Sequence, residues 1–280
     1  MNTRLSHQPA PIGVFDSGFG GLSVLREIRK VLPQYDYLFM GDNARAPYGS
    51  KSFDMVYEFT LQCVNYLFQQ GCNLVILACN TASAKALRTI QQKDLPRIDP
   101  SRRVLGVIRP TVEKVSQLTD NGNIGILGTP ATVQSKSYDI EIAKMYDNRF
   151  KVYSHACPMW VPLVENREGD GDGADYFVKK DIQLLLEQCR DIDTIILGCT
   201  HYPHMLKKIE RYTPSSIKVV PQGEIVAESL KDYLQRHPEI DEKCSKGGKC
   251  TYLTTENAEK FSQLASLFVK ENVEAKHVIL

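Results

Sequence analysis

The apolar residues of this chain come in short unbroken runs, without polar alternation. Runs such as Leu74-Val75-Ile76-Leu77 and Ile195-Ile196-Leu197 put no polar side chain on either face of an extended strand. Such a strand has to be buried on both sides, as in a parallel sheet covered by helices. Ten segments read this way, at 11–16, 36–40, 73–78, 104–108, 123–127, 150–154, 193–197, 216–220, 251–254 and 276–279. Between them apolar residues fall at helical spacing. Examples are Val178, Ile182, Leu185, Leu186 and Cys189; Val226, Leu230, Tyr233 and Leu234; and Phe261, Leu264, Ala265 and Phe268. A further helix near 52–70 ends before Gly71, a residue suited to the turn after a helix. Strands and helices that alternate along a chain specify an α/β fold with a mostly parallel sheet flanked by helices.

The pattern occurs twice. Ile12-Gly13-Val14-Phe15-Asp16-Ser17-Gly18 resembles Ile124-Gly125-Ile126-Leu127-Gly128-Thr129-Pro130, and Val75-Ile76-Leu77-Ala78-Cys79-Asn80-Thr81 resembles Ile195-Ile196-Leu197-Gly198-Cys199-Thr200-His201. The order is the same in both halves, and a chain of 280 residues has room for two domains. The expected division is a first α/β domain over 1–105, completed by 216–280, and a similar second one over 106–215, with the active site in the cleft between them. The extra length of the second half is assigned to Glu168–Asp175, rich in Gly and Asp, as a surface loop.

Charge and cysteine content narrow the function. Lys and Arg number 34 against 33 Asp and Glu, so no basic surface marks a nucleic-acid partner. The longest apolar run, Leu74–Cys79, is far too short for a membrane span. The polar start, Met1–Pro11, has no secretory apolar stretch. Eight cysteines, at 63, 72, 79, 157, 189, 199, 244 and 250, are too sparse for a disulfide scaffold. The expectation is a cytoplasmic protein with reduced thiols, which are either buried packing or chemistry.

Cys79 and Cys199 stand out. Each follows a buried strand and precedes a polar residue able to open a helix, at the strand end where α/β proteins collect ligands. Helix N-termini lower thiol pKa values, and about 3% of an ordinary thiol is ionised at pH 7, so such help matters. Asp16-Ser17-Gly18-Phe19-Gly20-Gly21 is a Gly-rich strand-to-helix turn that suits a small carboxylate and lacks the dinucleotide fingerprint. Asp42–Gly49 reads as a long loop, from which Tyr48 could present a hydroxyl or its backbone. His201 is a partner for Cys199 and Glu165 an orienting group for His201, although Glu165 alone reads as a solvated acid. Cys199, His201 and His204 form an alternative zinc half-site without a fourth ligand. Cys157 reads as structural, and Cys244 and Cys250 as ends of a polar hairpin-like connection.

Together, IGVFDSGFGGLSV (Ile12–Val24), GDNARAPYG (Gly41–Gly49), ACNTAS (Ala78–Ser83), GILGTPATVQS (Gly125–Ser135), CPMWVPLVE (Cys157–Glu165) and LGCTHYP (Leu197–Pro203) resemble the glutamate racemases of the cofactor-independent aspartate/glutamate racemase superfamily. The resemblance runs from about residue 11 to the end. It implies racemisation of glutamate at Cα by two thiols, without a cofactor or metal, supplying D-glutamate for peptidoglycan in a bacterial cytoplasm. Cys79 would handle D-glutamate and Cys199 L-glutamate, Asp16 would assist Cys79, and His201 with Glu165 would assist Cys199. Asp16, Ser17, Tyr48, Gly49, Asn80, Thr81, Thr200 and His201 match substrate-binding positions, with Thr132 a further candidate. The implied partner is the small substrate, L- or D-glutamate, with neither nucleic acid nor membrane and with a homodimer left open. Two segments depart from the family pattern: Arg109-Pro110-Thr111 stands where the family often has a Pro-Gly pair, and Val220-Pro221-Gln222-Gly223 replaces a commoner Asp-containing turn. The alternatives are an aspartate or broad amino-acid racemase, and a thiol redox protein cycling Cys79 with Cys199.

Overall fold

A computed structural model describes residues 8–280; Met1 to His7 of the polar leader lie outside the described residues. Each expected strand segment forms a strand. They are β1 Ile12–Asp16, β2 Tyr37–Gly41, β3 Leu74–Leu77, β4 Arg103–Gly106, β5 Asn123–Gly128, β6 Lys151–Ala156, β7 Thr194–Gly198, β8 Lys218–Val220, β9 Cys250–Thr254 and β10 Ala275–His277.

Two sheets result, of order β10-β9-β2-β1-β3-β4 and β6-β5-β7-β8, with parallel pairing throughout. The run β2-β1-β3-β4 has the same order as β6-β5-β7-β8. The two sequence echoes are therefore those of β1 with β5 and of β3 with β7.

Burial explains the unbroken apolar runs. Leu74 and Ile76 of β3 face one core cluster with Leu22, Leu25 and Ile28 of the helix Gly21–Val31. Val75 and Leu77 face another, with Val56, Val64 and Leu67 of the helix Phe53–Gln69. In β7, Ile195 and Leu197 face one way and Ile196 the other. Each such side chain contributes about 1.5–3 kcal/mol on burial, so neither face tolerates a polar residue. The helix Phe53–Gln69 ends as expected, with Gly71 at φ +95°, where a side chain would be strained.

Four expectations change. The boundary at 216 divides β8 from its sheet. Lys218, Val219 and Val220 pair with Thr194, Ile195 and Ile196 of β7, so the chain returns to the first sheet only with the helix Gly223–Arg236, packed on Gly21–Val31. The segment Glu168–Asp175 is a loop only to Gly171. A helix starts at Asp172, with Asp172 and Asp175 in its first turn, where acids complement the helix dipole. Asp42–Gly49 contains 3-10 turns at Asn43–Arg45 and Tyr48–Ser50. Cys244 and Cys250 do not bound a hairpin. Cys244 is buried and bridges in parallel to Ala10, and Cys250 opens β9, which pairs in parallel with β2.

Candidate active site

A cavity of about 150 Å³ lies between the sheets, at the C-terminal ends of β1, β3, β5 and β7. It is smaller than the roughly 300–1,000 Å³ of drug-sized pockets and suits a molecule of few atoms. Ser17, Tyr48, Gly49, Cys79, Asn80 and Thr81 line it from the first half, and Cys199, Thr200, His201 and Glu165 from the second. Asp16 and Thr132 stand behind this lining. A larger groove, about 800 Å³, opens elsewhere along the junction and contains none of these residues. Its Arg88 and Arg109 are already paired with Glu141 and Glu113.

Cys79 caps the helix Asn80–Lys85. Its Sγ accepts from the Ala82 N–H at 3.5 Å and lies 3.4 Å from Ser17 Oγ. The helix end was expected to lower this thiol's pKa. Instead the pKa is pushed up to about 12: burial dominates, the neighbouring Asp16 adds to it, and the hydrogen bonds from Ser17 and Ala82 only partly offset them. Asp16 is itself raised by burial, against the pull of His201 and the backbone N–H groups of Gly18 and Gly21. Its Oδ2 accepts from Gly18 N at 2.9 Å and its Oδ1 from Thr200 Oγ1 at 3.3 Å.

Cys199 faces a different partner. His201 Nδ1 lies 3.9 Å from its Sγ, and His201 Nε2 lies 3.0 Å from Glu165 Oε1. Burial disfavours a charged ring, but the Cys199 sulfur on one side and the Glu165 carboxylate on the other outweigh it and raise His201 to about 10. Glu165 is therefore not the solvated acid that its own sequence context suggested. It ends the helix Trp160–Glu165, whose Trp160, Val161 and Val164 are buried, and the packing of that face turns it toward the cavity.

The Gly-rich turn permits this closeness. A Cβ on Gly20 would fall 2.3 Å from Thr200 Oγ1 and 2.4 Å from His201 Nδ1. Ser23 Oγ, one turn on, donates to Gly20 O at 2.7 Å and Thr200 O at 2.9 Å, fastening the two motifs together. The turn thus serves the second cysteine's surroundings as well as the first's.

Other candidates are placed less directly. The Tyr48 hydroxyl donates to Asp42 Oδ2, which Arg45 Nε also reaches at 2.7 Å, so it is committed away from a ligand. Thr81 Oγ1 lies 3.0 Å from Thr129 Oγ1 and 3.3 Å from Thr132 Oγ1. Thr129 lines the cavity in front of Thr132 and was missed in the sequence, although it caps the helix Pro130–Ser135 at the place equivalent to Ser17. Cys157, read as structural, also borders the cavity. Cys199, His201 and His204 do not converge as metal ligands. Among the described residues the group that does is His155, Cys157 and Asp181, whose ligand atoms lie within 4.8 Å of one another, with His155 Nε2 3.2 Å from Asp181 Oδ1. Among the described residues no Lys or Arg lines the cavity. An anion there would meet backbone N–H groups, hydroxyls and the Asn80 amide.

Residues 12–230 match the family model described as Asp/Glu/Hydantoin racemase. The chain belongs to that family. Asp/Glu/hydantoin racemase relatives cover nearly all of it. A glutamate racemase from Ruegeria sp. (strain TM1040) is 39% identical over 272 residues, 94% of this chain and 97% of that protein. The crystal structure of a glutamate racemase isoform from Bacillus anthracis matches with a TM-score of 0.87 at 33% identity, covering 97% of this chain and 98% of that one. A glutamate racemase from Francisella tularensis in complex with D-glutamate matches with a TM-score of 0.85 at 29% identity, covering 96% and 97%. The two-sheet α/β architecture is thus that of the racemase family, and the cavity lies where its sheets meet.

Proposed function

We propose that the chain interconverts L- and D-glutamate by passing the α-proton between two thiols, with no cofactor taking part. The observation that carries this reading is that Cys79 and Cys199, from equivalent ends of β3 and β7, border one small cavity. Racemisation removes a proton from one face of Cα and delivers one to the other. Groups on opposite walls do both without turning the substrate.

With L-glutamate, Cys199 as thiolate takes the α-proton and the Cys79 thiol protonates the far face. With D-glutamate the roles reverse. The surroundings support this division. A protonated His201, oriented by Glu165, places a positive charge beside the Cys199 sulfur, while burial and Asp16 keep Cys79 protonated. When Cys79 must ionise, Asp16 takes up a proton, as the upward shift of its pKa favours, and so removes the like charge that opposes the thiolate. Ser17, Thr81, Thr200, Asn80 and the Tyr48–Gly49 turn hold the substrate, with Thr132 acting through Thr129 and Thr81. Of these groups, the hydroxyls and the backbone N–H groups at the helix ends also stabilise the carbanion-like transition state. The D-glutamate produced serves peptidoglycan synthesis, which assigns the enzyme to a bacterial cytoplasm.

The test is racemisation in deuterated water. L-glutamate should lose its ellipticity while deuterium enters Cα, and L-aspartate should turn over at least about a hundredfold more slowly, the scale on which a pocket separates substrates one methylene apart. Equal turnover of aspartate would move the reading to a broad amino-acid racemase. Activity that appeared only as Cys79 and Cys199 cycled through a disulfide would move it to a redox protein.

A further inference from the structure

The two segments that depart from the family pattern meet inside the molecule, Thr111 in the helix Ile108–Leu118 and Gln222 before the helix Gly223–Arg236. The chain crosses from the first sheet to the second at Val107, between β4 and the helix Ile108–Leu118, and crosses back at Pro221–Gln222, between β8 and the helix Gly223–Arg236. Gln222 is 4% exposed. Its Nε2 donates to Tyr138 Oη at 2.6 Å, to Thr111 Oγ1 at 2.8 Å and, more weakly, to Val107 O at 3.5 Å. Its Oε1 accepts from Asn80 Nδ2 at 2.8 Å, and Tyr138 Oη donates to Asn80 Oδ1 at 2.7 Å. Asn80, Gln222 and Tyr138 therefore close a buried ring of hydrogen bonds. Val107 and Thr111 tie that ring to the first crossing, and Gln222 itself lies in the second.

The ring has a direction. Val107 O can only accept, so the Gln222 amide presents its nitrogen to Val107, Thr111 and Tyr138 and its oxygen to Asn80. The Asn80 nitrogen must then face Gln222 and its oxygen Tyr138. Asn80 follows Cys79 directly and lines the cavity. The ring uses one amide hydrogen and one oxygen lone pair, so the second hydrogen and the second lone pair remain for a ligand. Without the ring the amide could rotate and exchange donor for acceptor.

We infer that Gln222 is a positioning residue, which acts through Asn80 to fix how the first half of the site presents a donor and an acceptor to bound glutamate. The inference rests on the proposed glutamate racemisation. Binding of this kind is the same in ground and transition states, so its loss appears mainly in KM. The two enantiomers are equal in energy, so kcat/KM changes by the same factor in both directions.

The experiment is a double-mutant cycle on the full chain, with racemisation of L- and D-glutamate as the readout. Wild type must racemise glutamate in the same assay; if it does not, the functional reading fails and the cycle is not reached. Gln222→Leu is expected to raise KM about tenfold, the scale of one hydrogen bond lost from a buried polar site, with kcat changed less. Tyr138→Phe, which removes only the hydroxyl, should shift KM in the same direction and keeps the test open if Gln222→Leu does not fold. Thr111→Val, which leaves the ring closed, should stay within about twofold of wild type. In an Asn80→Ala background the Gln222→Leu and Tyr138→Phe effects should vanish. Wild-type KM in Gln222→Leu, or the same fold-loss with and without Asn80, would overturn the inference.

Discussion

Cys79 and Cys199 hold corresponding places in two sheets of one strand order, yet their companions differ in charge. Cys79 caps a helix beside a hydroxyl and a buried carboxyl, Ser17 and Asp16. Cys199 is followed by a 3-10 turn, Tyr202–Met205, and faces an imidazole held by a carboxylate. The repeat supplies one thiol from each half to a single cavity, but identical surroundings would give both the same preferred protonation state. Proton transfer across a substrate needs one base and one acid at a time. The unlike companions supply that difference.

The comparison can be broken most directly at the sulfurs. Cys79→Ala and Cys199→Ala should each lower racemisation by about a thousandfold or more, the scale of a lost general acid or base. Near wild-type loss of ellipticity in either variant would end the two-thiol reading.

Gly20→Ala comes next. Its Cβ would fall on Thr200 Oγ1 and His201 Nδ1, at 2.3 and 2.4 Å, and the displaced imidazole should cost about a hundredfold in kcat/KM. The clash acts on the Cys199 side through His201 and reaches Asp16 through Thr200 Oγ1. An alanine variant with unchanged kcat/KM would show that the close approach is unimportant.

Glu165→Gln sharpens the asymmetry. It removes the charge behind His201 and should reduce kcat/KM about tenfold in both directions, since an equilibrium constant of unity ties them. The directions should separate in isotope effects. α-Deuterated L-glutamate, whose deuteron leaves to Cys199, should show the larger increase over wild type. A larger increase with the D enantiomer would reverse the assignment of the two cysteines.

The smallest expected effect is on stability. His201 has a folded pKa near 10 against 6.5 for the free side chain, so its contribution is fully present below about pH 6.5 and is lost as pH rises through about 10. Thermal melts should therefore show wild type losing stability between these limits more steeply than His201→Asn. Parallel curves would mean that the ring is not charged in the fold. His204 runs the other way. Its buried Nε2 has no hydrogen-bond partner among the described residues, and its pKa is lowered to about 3, first by burial and then by His201. Its contribution is present above about pH 6.5 and is lost as pH falls toward 3, so His204→Asn should soften the acid limb of the same curve.

Much of the fold was legible because its strands are buried on both faces. A run such as Leu74–Leu77 has no other economical place to go, and a cysteine just after it falls at the ligand-binding edge. β8 was misassigned because it has only three residues, and pairing of so short a strand depends on an open sheet edge. The residues of the candidate site were legible as members of strand-end motifs, but their relations were not. Glu165 meets His201 across 36 positions of chain. Thr129 carries no sequence signal beyond that of a threonine before a proline, which suits the helix cap it also is.

The sequence by itself determined the alternation of strands and helices, the repeat, and the two cysteines at matching strand ends. These follow from local periodicity and from the chemistry of single residues. Tertiary structure decided the charge state of the site. Burial pushed the Cys79 thiol up where its helix end alone would have lowered it, because desolvation depends on everything packed around the sulfur. It also decided which way the Asn80 amide faces, since that depends on Gln222 and Tyr138, distant in sequence and adjacent only after the two sheets have met.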